Sequence, residues 1–77
     1  MEKWISKIKS EYESASKKFT KFNSTHEGYA VIKEEVDELW DCIKSNADKK
    51  AMEEESIQVA AMALRFLIDL CGESKQK

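Results

Sequence analysis

Two long stretches of helical periodicity, about 26–45 and 48–72, are separated by a break of four residues, Ser45-Asn46-Ala47-Asp48. A link that short joins neighbouring antiparallel helices. The break therefore predicts a helical hairpin, and the hairpin fixes which residues face each other. Glu38 lies about nine residues before the turn and Glu55 about eight after it. Glu35 and Gln58 stand one helical turn further out, because i,i+3 residues share a helix face. Folding back at the turn brings Glu35, Glu38, Glu55 and Gln58 to one level, three carboxylates and one amide.

Carboxylates gathered this way repel. Two unit charges about 5 Å apart at an effective dielectric of about 20 cost roughly 3 kcal/mol. Solvent exposure, proton uptake or a bound cation relieves the repulsion. A hard divalent ion suits the all-oxygen set, Mg²⁺ first and Mn²⁺ as an alternative.

The chain has 77 residues, no Pro and two Gly, with 36% charged residues. With helical periodicity throughout, that composition predicts one all-α domain over 1–77. So short a chain supplies a thin core and is expected to complete a larger helical bundle by oligomerisation. The net charge of −2 hides a segregation: residues 1–22 carry six Lys against three Glu, and residues 23–56 carry ten acids against four Lys. No overall basic character supports nucleic-acid binding. Cys42 lies near the hairpin turn and Cys71 far from it, on the order of 28 Å apart along the axis. They cannot bridge within one chain, so reduced thiols and a cytoplasmic setting are expected. No signal peptide is expected at Met1-Glu2-Lys3-Trp4. The run Ile57–Cys71 is too short to span a bilayer and contains Arg65 and Asp69, so no membrane partner is expected.

Residues 2–22 read as a first helix, with Ile5, Ile8, Tyr12, Ala15, Phe19 and Phe22 in one stripe. Its other face carries Lys17, Lys18 and Lys21, either solvated or reaching a phosphate-bearing ligand. Ser24 followed by Glu27 fits a capping box. The only histidine, His26, sits at a helix start, where it is either a plain polar residue or a substrate contact. On the second helix, about 26–45, the seam is Tyr29, Ile32, Val36, Leu39 and Ile43, flanked by Trp40. Lys33, Asp37, Asp41 and Lys44 point away from it. Glu35 and Glu38 share a flank with Val31 and Cys42, and a covered carboxylate needs a partner. The third helix, about 48–72, starts at Asp48 as N-cap and is apolar nearly all round from Ile57 to Cys71. Such a helix is buried on most sides, more than two companion helices can cover, which again predicts a second subunit. Glu54 or Glu55, then Gln58, Arg65 and Asp69, form a polar stripe facing water or lining a cleft. Arg65 pairs with Asp69 or meets a phosphate. Gly72 is read as the C′ residue and 73–77 as a frayed tail. The sequence holds no Gly-rich phosphate loop, zinc-ligand spacing or nucleophile elbow.

The stretch Glu34-Glu35-Val36-Asp37-Glu38-Leu39, followed after fifteen residues by Glu55-x-x-Gln58, resembles the all-α nucleoside triphosphate pyrophosphohydrolases of the MazG type. Their motif is EExxE followed at a variable gap by ExxD. His26-Glu27-Gly28-Tyr29-Ala30 and Gln58-Val59-Ala60-Ala61-Met62-Ala63-Leu64-Arg65-Phe66 are similar to a small MazG-like subgroup from bacteria and phages. The resemblance covers about residues 24–70. It implies a helical bundle assembled as a homodimer or tetramer that uses Mg²⁺ to split an NTP or dNTP into the monophosphate and pyrophosphate. It places Glu35, Glu38 and Glu55 as metal ligands, with Gln58 in the position of the family's last Asp. It assigns Glu34 and Glu38 to catalysis, Glu34 either by binding metal or by orienting the attacking water. Substrate contacts then fall to Lys17 and Lys21 of the first helix, to Arg65, or to the other subunit. Gln58 departs from the motif: an amide ligates more weakly and accepts no proton. A non-catalytic dimeric module that binds a nucleotide or protein partner is the alternative, and a plain structural dimer with solvated acids is a third.

Overall fold

The computed structural model describes residues 1–72. Three helices follow in order: α1 Glu2–Lys18, α2 Thr25–Lys44 and α3 Lys49–Leu70. α3 is the central element. α1 and α2 both lie along it and hardly touch each other. The predicted hairpin is formed by α2 and α3, and no strand occurs among the described residues.

Each end of the hairpin turn has its local cause. Asn46 adopts a left-handed backbone, φ 58°, which its short polar side chain tolerates better than most. This lets the Asn46 and Ala47 N–H groups donate back to the carbonyls of Ile43 and Cys42, at 3.2 and 2.9 Å. Carbonyls otherwise orphaned at the end of α2 are thereby satisfied. Asp48 then caps α3, accepting from the Ala51 N–H at 2.9 Å. At the start of α2, Ser24 accepts from the Glu27 N–H at 3.1 Å. The Glu27 carboxylate reaches back one residue further than a simple capping box, to the Asn23 N–H.

The first helix is shorter than the sequence predicts. It ends at Lys18, and Phe19 is extended, φ −124° and ψ 151°. The stripe continues to Phe22 because Phe19–Phe22 is an extended strap anchored on α3, not another turn of helix. The Phe22 N–H donates to Asp69 Oδ2 at 3.1 Å, and Arg65 Nη2 donates to the Thr20 carbonyl at 3.0 Å. The Phe22 ring is buried beneath the Arg65 guanidinium, 4.2 Å from its centroid. Helical bonding at Phe22 is thus replaced by charge-assisted bonds, which are stronger than neutral ones.

The polar stripe on α3 takes the cleft alternative, not the solvent one: Arg65 and Asp69 both border a cleft beside the strap. They do not pair with each other; they are 4% and 5% exposed and both grip the strap. The helix ends also shift, to 25–44 and 49–70. Gly72 follows the α3 cap without a positive φ, so among the described residues the left-handed one is Asn46. The tail read over 73–77 lies outside the described residues.

α2 packs on α3 with a face rotated from the centre of its apolar seam. The covered residues are Gly28, Val31, Ile32, Glu35, Leu39 and Cys42, so the seam is covered at Ile32 and Leu39 only. Gly28 permits this approach: a Cβ there would stand 2.6 Å from a Phe66 ring carbon. Much of the seam stays outside, with Tyr29 62%, Val36 44%, Ile43 45% and the flanking Trp40 54% exposed. Leu67 and Ile68 of α3 are also exposed. The buried core is correspondingly small: Ala15, Ala61 and Met62, flanked by Tyr12, Val31 and Ile32. The radius of gyration is 13.3 Å, against about 11.5 Å for a compact domain of this length. No described helix is long and apolar enough to cross a membrane.

Candidate metal centre and adjoining cavity

The hairpin register brings Glu35 and Glu38 of α2 against Glu55 of α3. Each offers a carboxylate oxygen, and the three oxygens lie within 4.8 Å of one another. The neighbouring acids are disposed of elsewhere. Glu53 pairs across to Lys7 of α1 at 2.6 Å, and Glu54 is exposed, 3.9 Å from Lys50. Lys33 with Asp37 and Lys44 with Asp41 form solvated pairs on the outer side of α2, as their angular positions predict. Of the run Glu53-Glu54-Glu55, Glu55 is the residue that turns into the triad.

The triad is electrostatically unfavourable as it stands. Burial, then the Glu38 charge and a proton shared with Glu38, then Glu55 and Glu34, push the Glu35 carboxyl up to about 7. Burial first, then Glu38, raises Glu55 as well. Glu55 Oε1 is buried with no hydrogen-bond partner. A bond between Glu55 and Glu38 exists only while one of them carries a proton; when all three ionise, Oε1 faces acceptors alone. A buried acceptor in that position is stabilised by a proton or by a cation. The donor set is all oxygen and suits Mg²⁺ or Mn²⁺. Cys42 lies close by, and burial together with the Glu55 carboxylate raises its thiol.

A cavity of about 380 Å³ adjoins the triad, walled by the end of α1, the strap, α2 and α3. Glu35 belongs to both the triad and the cavity. Glu34 and Gln58 line the cavity beside it, whereas Glu38 and Glu55 lie toward the hairpin turn and do not. Phe19, Phe22, Val31 and Met62 supply its apolar wall, and Lys18 and Arg65 its cations.

The substrate-binding candidates divide. Arg65 lines the cavity, but its guanidinium is engaged by the Thr20 carbonyl and by Met62 Sδ at 3.5 Å. Lys21 lies in a smaller cleft of about 230 Å³ that also borders Arg65 and Asp69. Lys17 is exposed and lines none of these spaces, while its neighbour Lys18 lines the main cavity. His26 borders a shallow apolar groove with Tyr29, Ile32 and Phe66, separate from the triad. Sequence reasoning missed the strap as a cavity wall. The available signal was Phe22 followed at once by the Asn23-Ser24 cap, which leaves no room for a helix end of its own. Comparison with protein-family models, curated proteins and solved structures finds no match to this chain.

Proposed function

We propose that this chain is a MazG-like nucleoside triphosphate pyrophosphohydrolase that works with Mg²⁺ and yields a nucleoside monophosphate and pyrophosphate. The observation that carries the reading is the buried, unpartnered Glu55 Oε1 inside a three-carboxylate cluster that shares Glu35 with a ligand-sized cavity. Solvated surface acids do not leave a buried oxygen without a donor. The motif resemblance supplies the reaction.

Glu35, Glu38 and Glu55 would hold the ion. When bound, it supplies electrophilic stabilisation of the phosphates and of the attacking water. Glu34 is exposed at the cavity wall, where its carboxylate accepts a proton from the water as that oxygen adds to phosphorus. The bridging oxygen leaves with pyrophosphate. Lys18 meets phosphate charge from the cavity side, and the fixed dipoles of the site do the rest by positioning. We further propose a homodimer formed through the α2 seam, Tyr29, Val36 and Ile43 with the flanking Trp40. Monomers rarely leave an apolar row of this kind bare.

The test is a panel of common NTPs and dNTPs with Mg²⁺, assayed separately for pyrophosphate and orthophosphate. Wild type is expected to release pyrophosphate, and Glu38→Gln to lose at least about 100-fold, the scale of a removed charge-stabilising group. Orthophosphate release, or turnover indifferent to chelator, would refute the mechanism.

A further inference from the structure

Gln58 stands one turn beyond Glu55 on α3, at the boundary between the triad and the cavity. It lines the cavity; Glu55 does not. The amide has no hydrogen-bond partner among the described residues. We propose that Gln58 is a specificity residue that reads the edge of the nucleotide base in the cavity, and not a metal ligand.

This rests on the nucleotide reading of the site and goes further, by dividing the site into two halves. The three carboxylates already provide a charged oxygen set on the turn side of Gln58. On its other side the polar lining is mostly one-sided in hydrogen bonding. Glu34 is a carboxyl group with no amide donor, Glu35 is committed to the triad, and Lys18 and Arg65 only donate. Hydroxyls apart, the Gln58 amide is the group in the lining that presents donors and an acceptor together, in one plane, as the edge of a base does. Phe19, which is exposed, and Met62 offer apolar surface in the same lining, and aromatic faces accept a stacked base of any kind. The volume lies in the range of small-molecule sites, about 300–1,000 Å³. A base in the cavity leaves its phosphates at Glu35, the residue common to both halves. Selection among bases then comes from which edge pairs with the amide, because a mispaired edge leaves polar groups unsatisfied.

Side-chain amide resonances of ¹⁵N-labelled protein test this directly. The sequence contains four such groups, Asn23, Asn46, Gln58 and Gln76. One titration uses nucleoside monophosphates of each common base in EDTA. A second uses Mg²⁺ alone. The Gln58 amide pair is expected to shift with nucleotide, to a base-dependent extent, and to stay in place with Mg²⁺ alone. Gln58→Met, which keeps the length and helix propensity, is expected to narrow the spread of affinities among bases by about tenfold, the size of one or two neutral hydrogen bonds. It is expected to leave the Mg²⁺-induced rise in melting temperature unchanged. A Gln58 amide that moves with Mg²⁺ alone, or a base ranking unaltered in Gln58→Met, overturns the assignment while the metal site stands. If no nucleotide moves any cavity resonance, the reading of the site falls, and the assignment with it.

Discussion

Glu35→Gln tests the electrostatics of the triad without relying on turnover. In the folded chain the Glu35 carboxyl is raised from 4.5 to about 7, chiefly by burial and then by Glu38. The folded state therefore holds this proton more tightly than the unfolded chain does. The associated stability is fully present below about 4.5 and is lost as pH rises through about 7. Taken at full burial, that difference is about 3 kcal/mol. Glu35 is only half-buried, and solvent screening reduces the figure to about 1–2 kcal/mol. At pH 8 without divalent ions the wild type lacks this contribution. Glu35→Gln, which never ionises, is expected to melt about 5–15 °C higher for a chain of this size. At pH 4 the two should melt nearly together. Glu53, lowered by its hydrogen bond to Lys7, behaves oppositely: its contribution is lost as pH falls. It is common to both proteins and drops out of their difference. Millimolar Mg²⁺ at pH 8 should raise the wild type and leave the variant behind, since an ion that binds only the folded state stabilises by mass action. The assay is thermal unfolding by circular dichroism from pH 4 to 8.5, in EDTA and in Mg²⁺. A variant that melts below wild type at pH 8 in EDTA refutes the reasoning, as does a gap between the two that does not change with pH.

Two further outcomes follow from the strap and from the exposed seam. Asp69→Ala leaves the Phe22 N–H without its acceptor and is expected to lose about 1–3 kcal/mol in urea unfolding, whereas Asp69→Asn, which keeps an acceptor, should lose under about 1 kcal/mol; equal effects would mean that the bond to Phe22 does not hold the strap. Trp40→Glu touches no core residue and should leave the far-ultraviolet spectrum intact, yet raise the dissociation constant for self-association about 30-fold or more, the scale of an aromatic anchor; sedimentation equilibrium with wild type already monomeric at 100 μM would remove the basis for a dimer through this face.

The hairpin was legible because its determinants are local. Two periodic runs, the Ser45–Asp48 break and the Asp48 cap fix the register, and the register alone brings Glu35, Glu38 and Glu55 together. The end of α1 was not legible, because the residues that stop it are distant in sequence. Phe19 and Phe22 keep helical spacing, and only Arg65 and Asp69, 45 and 47 residues beyond their partners Thr20 and Phe22, show that the spacing serves a strap. The same limit explains Arg65 itself: a charged residue on an apolar helix signals a buried role, but the role depends on which backbone arrives opposite it. Gln58 was placed at the level of Glu35, and it lines the cavity beside that residue, a space that periodicity alone does not reveal.

The rotation of α2 ties these features together. Had α2 buried its apolar seam against α3, Glu35 would have turned toward solvent, the triad would have dispersed, and the chain would have satisfied itself as a monomer. Gly28 allows α2 to approach on its other flank instead, and that flank carries Glu35. The apolar area forgone is substantial: three seam side chains and the flanking Trp40, each more than two-fifths exposed, at about 25 cal/mol per Å² of apolar surface left in water. A lone chain has little to offset that loss, since its buried apolar core is a few residues. On the proposed reading, a cation at the triad and a second copy on the seam would each offset it from different faces of the same helix. Metal binding and self-association should therefore be linked: each favours the orientation of α2 that the other requires, and by reciprocity Mg²⁺ tightens the dimer by the factor with which dimerisation tightens Mg²⁺.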